Sequence, residues 1–176
     1  MREGAGGAPM SAEGAFSDLF ADAPSAVRVD GGTVEVRKLT RKFVDSAASI
    51  PDESTDVLYY TLAVGHHTGV IDCFERALSM PADVYGKIVA LMDDEEARFK
   101  LAGVLRFGEI QIDKSHVGLL LPAARAALSN LDVFNAPGKT TMALQPHEVE
   151  PFVELVDLLL DVRDEPSVYL MVRRVA

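Results

Sequence analysis

A single cysteine, Cys73, is the first thing this chain has little of. It excludes an internal disulfide and points to a reducing compartment, so a cytoplasmic location is expected. Basic residues are also scarce: 17 Lys and Arg stand against 27 Asp and Glu, for a net charge of −10. A nucleic-acid binder needs a basic footprint to neutralise phosphates, and anionic lipid selects for the same, so both partner classes are disfavoured. No apolar run approaches the roughly 18 residues of a membrane span. The opening residues lack the apolar stretch of a secretory signal. No repeat of roughly 20–50 residues suggests a solenoid.

What is present describes one domain of ordinary composition, with 48% hydrophobic and 25% charged residues in 176. Residues 1–32 read as a poorly ordered Gly/Ala-rich extension, broken by a short amphipathic turn around Phe16, Leu19 and Phe20. Residues 33–176 form the folded domain. Alternation predicts a half-buried strand from Thr33 to Leu39, and an apolar run predicts a buried strand from Leu58 to Val64. From Val70 to Leu78 the apolar residues Val70, Cys73, Phe74, Ala77 and Leu78 recur at helical spacing, which predicts an amphipathic helix. A second helix opens at Pro81 and runs through Met92, and a third is capped by Asp93 with Glu96. A strand follows over Gly108–Asp113. Helices are expected over Val117–Leu131, with Pro122 in the first turn, and over Val149–Val162, with a loop at 135–146 between them. A last strand covers Val168–Val172. The fold class is α/β, with mixed α+β as its variant: about four strands in a mixed sheet covered by about five helices.

Gly65-His66-His67-Thr68-Gly69 is the most unusual string in the chain. Turns need small residues, not paired imidazoles, so the histidines ask for another role. Read as a strand-to-helix junction, the turn offers a helix N-terminus to an anion. With Cys73 and His116 it also offers metal donors, although the spacing matches no established zinc or nickel motif. A buried structural Cys73 is the simpler reading. Gly138-Lys139-Thr140 resembles the end of a phosphate loop, but Val133 stands where its leading glycine is needed. No nucleophile and base fall into a convincing order. Arg37, Lys38, Arg41 and Lys42, with Arg173 and Arg174, form local basic clusters on an acidic chain and suit an acidic partner surface.

Four blocks carry a resemblance: LTRKFVD from Leu39, YYTLAVGHHTGVIDCFERAL from Tyr59, GEIQIDKSHV from Gly108 and VYLMVRRV from Val168. Together they resemble the formate hydrogenlyase maturation proteins, the HycH family. The chain departs from that pattern by about thirty extra residues at its start and by a longer loop at 135–146. The resemblance implies a non-catalytic accessory protein, without a resident cofactor, for assembling a [NiFe]-hydrogenase of the formate hydrogenlyase type. Its expected partner is the hydrogenase large-subunit precursor, held during cofactor insertion and processing and released from the finished complex. A homodimer is left open. His66, His67, Asp72, Arg41, Lys42 and His116 are the candidate partner-binding positions, since they lie within the matching blocks. The alternative implied function is handling of nickel or iron by His66, His67 and Cys73.

Overall fold

The computed structural model describes residues 31–44, 46–54, 56–60, 70–131, 144–165 and 167–176. Five strands are β1 (Thr33–Val44), β2 (Asp56–Tyr60), β3 (Val70–Pro81), β4 (Glu109–Ile112) and β5 (Leu170–Val175). Four α-helices are α1 (Ala82–Ala90), α2 (Glu95–Phe107), α3 (Lys114–Ser129) and α4 (Pro146–Asp164). The strands form one sheet in the order β2-β3-β1-β5-β4, with every neighbouring pair antiparallel. The α+β reading of the class therefore holds; among the described residues there are five strands where about four were expected and four α-helices where about five were, and the sheet is antiparallel throughout rather than mixed.

All four helices pack on one face of this sheet. Val34, Val36, Leu78, Met80, Ile112, Leu170 and Val172 face them and share a buried core with Tyr85, Ile88, Leu101, Leu120, Phe152 and Leu159. Within that core the Tyr85 hydroxyl donates to the Leu101 carbonyl at 2.9 Å and ties α1 to α2. Alternate residues on the same strands point to the opposite face. Leu39, Phe74, Tyr169 and Met171 form a separate small apolar cluster there. The arrangement is a two-layer fold, sheet on helices.

The segment from Val70 to Leu78 corrects the helix expected there: it is the first part of strand β3. The cause is a β-bulge. Val36 pairs with Leu78 but Arg37 pairs with Arg76, so Ala77 is an extra residue on β3. The bulge breaks the two-residue period, and the apolar positions then fall at a spacing that imitates a helix turn. Pairing with β1 on one side and β2 on the other overrides that local pattern.

Smaller differences have equally local causes. Asp94 rather than Asp93 caps α2, accepting from the Ala97 N–H at 2.9 Å. Gly108 ends α2 in the left-handed region at φ 86°, a conformation that suits a residue without Cβ. Helix α3 begins three residues before Val117, because Asp113 caps it together with His116, and Pro122 therefore lies well inside the helix rather than in its first turn. The loop expected at 135–146 falls outside the described residues as far as 143, and Pro146 is already the first residue of α4.

Glu148 secures the start of α4 and is 5% exposed. One carboxylate oxygen accepts from the Gln145 N–H at 2.7 Å and the other lies 2.5 Å from Lys87 Nζ on α1. Burial opposes its charge, but the hydrogen bonds from Lys87 and Gln145 outweigh that opposition and hold the carboxyl below the usual carboxylate range. Glu148→Gln should cost about 2 kcal/mol, below the usual figure for a broken buried pair because Lys87 is about one-third exposed. A folded-state value below the unfolded one, about 4.3, contributes stability that is present above that pH and lost as pH falls through the folded value. Denaturant midpoints measured between pH 7 and pH 3 should show the gap between native protein and variant closing on acidification. A gap that stays constant with pH refutes the ion-pair assignment.

Candidate functional site

The antiparallel register brings all five strands to a common end. At that end lie the last residues of β1, β2 and β4 and the first residues of β3 and β5: Val44 pairs with Ile71, Tyr60 with Val70, and Ile112 with Leu170. His66 and His67 lie outside the described residues, but the residues on either side of their segment, Tyr60 and Val70, are paired with each other. Because a strand follows Gly69 rather than a helix, the anion-binding helix N-terminus expected at this turn is not formed.

Arg41 and Lys42 lie on the same end of β1 and are both exposed. Arg41 Nη1 donates to the Ser49 carbonyl at 3.2 Å, across a short 3-10 turn (Ala47–Ser49). Lys42 Nζ sits 5.4 Å from the centroid of the Tyr169 ring, a cation–π distance. The Tyr169 hydroxyl in turn donates to Asp72 Oδ2 at 2.7 Å. Asp72 is 1% exposed, so its carboxyl meets Tyr169 inside the protein and is not part of the outer surface. Phe74 packs edge-on against the Tyr169 ring with centroids 5.4 Å apart, completing the small cluster on this face.

His116 stands apart from these residues, at the start of α3 beyond the far edge strand β4. Its Nδ1 is 2.9 Å from Asp113 Oδ1 and 3.3 Å from the Asp113 backbone nitrogen, which is a helix-capping arrangement. The Ser115 hydroxyl donates to the same Asp113 carboxylate at 2.5 Å. Ser115, with burial opposing it and His116 assisting, holds the Asp113 carboxyl below its ordinary value. Ser, His and Asp meet here within four residues of one helix start, a geometry that serves the cap. Cys73 is fully buried on β3, so its thiol is closed to solvent. Among the described residues no group of three His, Cys, Asp or Glu side chains is placed to hold a metal ion.

The basic cluster read from sequence divides in two. Lys38 points to the helical side and pairs with Asp161 of α4 at 2.7 Å. Arg37 joins a charged lattice across the sheet face opposite the helices. It contacts Glu35 at 2.7 Å and is ion-paired with Asp56. Arg76 reaches the other oxygen of Glu35 at 3.2 Å, while Arg173 bridges Asp56 at 3.6 Å and Glu109 at 2.5 Å. Three arginines thus balance three acids over all five strands. Arg37 foremost, against the cost of burial and with help from Arg76, lowers the Glu35 carboxyl. Sequence reasoning missed Tyr169 and the acids of this lattice. Tyr169 was hidden within an apolar strand, and the acids are scattered through the chain until strand pairing aligns them.

Comparison with known proteins gives concordant matches. The family described as formate hydrogenlyase maturation protein HycH matches residues 33–174. Hydrogenase-4 component J of Escherichia coli (strain K12) is 38% identical over 145 residues, covering 82% of this chain and 96% of that protein. Formate hydrogenlyase maturation protein HycH of the same strain is 41% identical over 138 residues, covering 78% of this chain and 92% of that protein. No solved structure matches.

The Tyr169–Asp72 bond joins the residue just before β5 to β3 across the intervening β1. Tyr169→Phe deletes only the hydroxyl and leaves a buried carboxyl short of one donor, so it should cost about 1–3 kcal/mol. Urea unfolding should show a lower midpoint with an unchanged slope. An unaltered midpoint refutes a stabilising role for the bond.

Proposed function

This chain belongs to the formate hydrogenlyase maturation protein HycH family, and from that premise we propose that it is an assembly chaperone. Its partner is the large-subunit precursor of a [NiFe]-hydrogenase, which it binds during cofactor insertion and processing without itself catalysing a step. The family match over residues 33–174 carries this reading. The geometry supports it in a specific place. Arg41 and Lys42 are exposed cations at the sheet end where the paired strands flanking His66 and His67 meet, on a chain whose net charge is −10. Exposed cations of this kind steer an encounter and set its register, which is what a transient assembly contact requires. Among the described residues no helix is long and apolar enough to cross a membrane, and the reading places the protein in the cytoplasm with its precursor.

Capture of the precursor by tagged protein, from cells making the large subunit with or without its C-terminal extension, tests the proposal. The precursor should co-purify, and the processed subunit should not. The double variant Arg41→Glu with Lys42→Glu should lower capture by about tenfold or more. His66→Ala with His67→Ala should lower it as well. Both pairs should leave the melting temperature within about 2 °C of the parent if they act on capture alone. Undiminished capture by both double variants removes this end of the sheet as the docking surface. Normal hydrogenase processing in cells lacking the protein removes the function.

A further inference from the structure

Lys42 reaches its place through an irregularity in β1. In a regular strand, residues three apart point to opposite faces, so Lys42 would lie on the helix-covered side when Leu39 does not. The register shift between Leu39 and Arg41 reverses that phase. Lys42 comes instead to the face that carries Leu39, Phe74, Tyr169 and Met171, with its Nζ 5.4 Å from the Tyr169 ring centroid. Arg41 beside it is held differently, by donation to the Ser49 carbonyl at 3.2 Å.

The ring under Lys42 is fixed by buried groups. Tyr169 is 6% exposed, and its hydroxyl donates at 2.7 Å to Asp72 Oδ2, in a residue 1% exposed. Phe74, also buried, packs against the same ring at an interplanar angle of 77°. An ammonium drawn to the negative face of an aromatic ring keeps N–H donors directed outward, where a carboxylate can accept them. The lysine is therefore exposed to a partner while its position is set from the interior.

We propose that Tyr169 is a positioning residue: anchored by Asp72 and Phe74, it holds the Lys42 ammonium where a carboxylate of the partner meets it. This rests on the docking surface proposed above and adds to it the chemistry of the recognised group and the residue that sets the place of recognition. Tyr169 does not touch the partner. Its effect passes through Lys42, whose long side chain is partly ordered before the encounter.

NMR of the full chain, together with its binding of the large-subunit precursor, tests this. In the free protein the Lys42 side-chain methylene protons should be shifted upfield by the ring, and Tyr169→Leu should return them to free-lysine positions. Tyr169→Leu should weaken precursor binding about two- to fivefold, the worth of an exposed cation–π contact. In a Lys42→Ala background the same change should weaken it no further. Added salt should weaken native binding more steeply than binding by Lys42→Ala, as a carboxylate contact requires. Tyr169→Phe keeps the ring and loses the Asp72 anchor, so it should fall between native protein and Tyr169→Leu in both readouts, and it serves alone should Tyr169→Leu not fold.

Unshifted methylenes in the native protein overturn the proposal, as does equal salt dependence with and without Lys42. Equal weakening by Tyr169→Leu in both backgrounds overturns it too, because the ring then serves the fold or touches the partner itself. Tighter binding by Tyr169→Leu has the same force, because the ring then competes with the partner for the lysine. Native protein that captures no precursor removes the docking reading, and the methylene shifts still tell an anchored Lys42 from a free one.

Discussion

The extra residue in β3 opposite the Val36–Arg37 step is the constraint on which the rest of this molecule depends. Without it, Phe74 and Arg76 would share a face with Leu78 and Met80. With it, Leu78 and Met80 enter the helix-covered core while Phe74 and Arg76 face the other way. A one-residue change of phase exchanges the two faces of every residue beyond it, so the bulge assigns apolar and charged halves of one strand to opposite layers. A second irregularity lies between Leu39 and Arg41, where Thr40 is the residue left over on β1. Its hydroxyl donates to the Cys73 carbonyl at 3.0 Å and keeps the disturbed ladder closed.

The charged lattice is the consequence on the face opposite the helices. An antiparallel sheet with helices on one side presents polar residues on the other, and here they interlock rather than stand singly. Glu35 is the hinge of the lattice because it is 9% exposed and receives two arginines, one from its own strand and one from β3. Asp56 draws an arginine from each of β1 and β5 toward the edge strand β2. Both edge strands are short, at five and four residues, which limits pairing with other chains. With Arg37, Arg76 and Arg173 engaged by acids, Arg41 and Lys42 are exposed cations among the described residues at the end of the sheet where Tyr60 pairs with Val70.

Much of this was legible in the sequence, and the failures share a physical origin. Strands and helices with one uninterrupted period, such as β4 and α4, were read correctly because local pattern and tertiary pairing agree. Val70–Leu78 was misread because a bulge makes a strand look helical, and only the register with β1 and β2 reveals it. Pro122 was assigned to a first turn because Asp113 as cap, with His116 taking the part of Glu or Gln, is invisible to a search for the usual capping pair. Of the candidate site, Arg41 and Lys42 emerge as exposed, Asp72 as interior and His116 as a capping residue. His66 and His67 fall outside the described residues. Burial of Asp72 was illegible because its partner is 97 residues away in the chain.

That long-range pair changes the meaning of the exposed end. Asp72 orients the Tyr169 hydroxyl from within, Phe74 fixes the same ring from its edge, and the ring offers its face to Lys42. A lysine on a bare surface loses considerable side-chain entropy when it engages a partner. A lysine already placed over an aromatic ring has surrendered part of that freedom beforehand, so less would remain to be lost in the docking proposed above. Asp72 therefore serves the surface without belonging to it: the buried carboxyl sets the ring, and the ring sets the cation. The short sequence blocks around Lys42, Asp72 and Tyr169, which lie far apart in the chain, thus converge as one device that holds a positive charge in position at the end of the sheet.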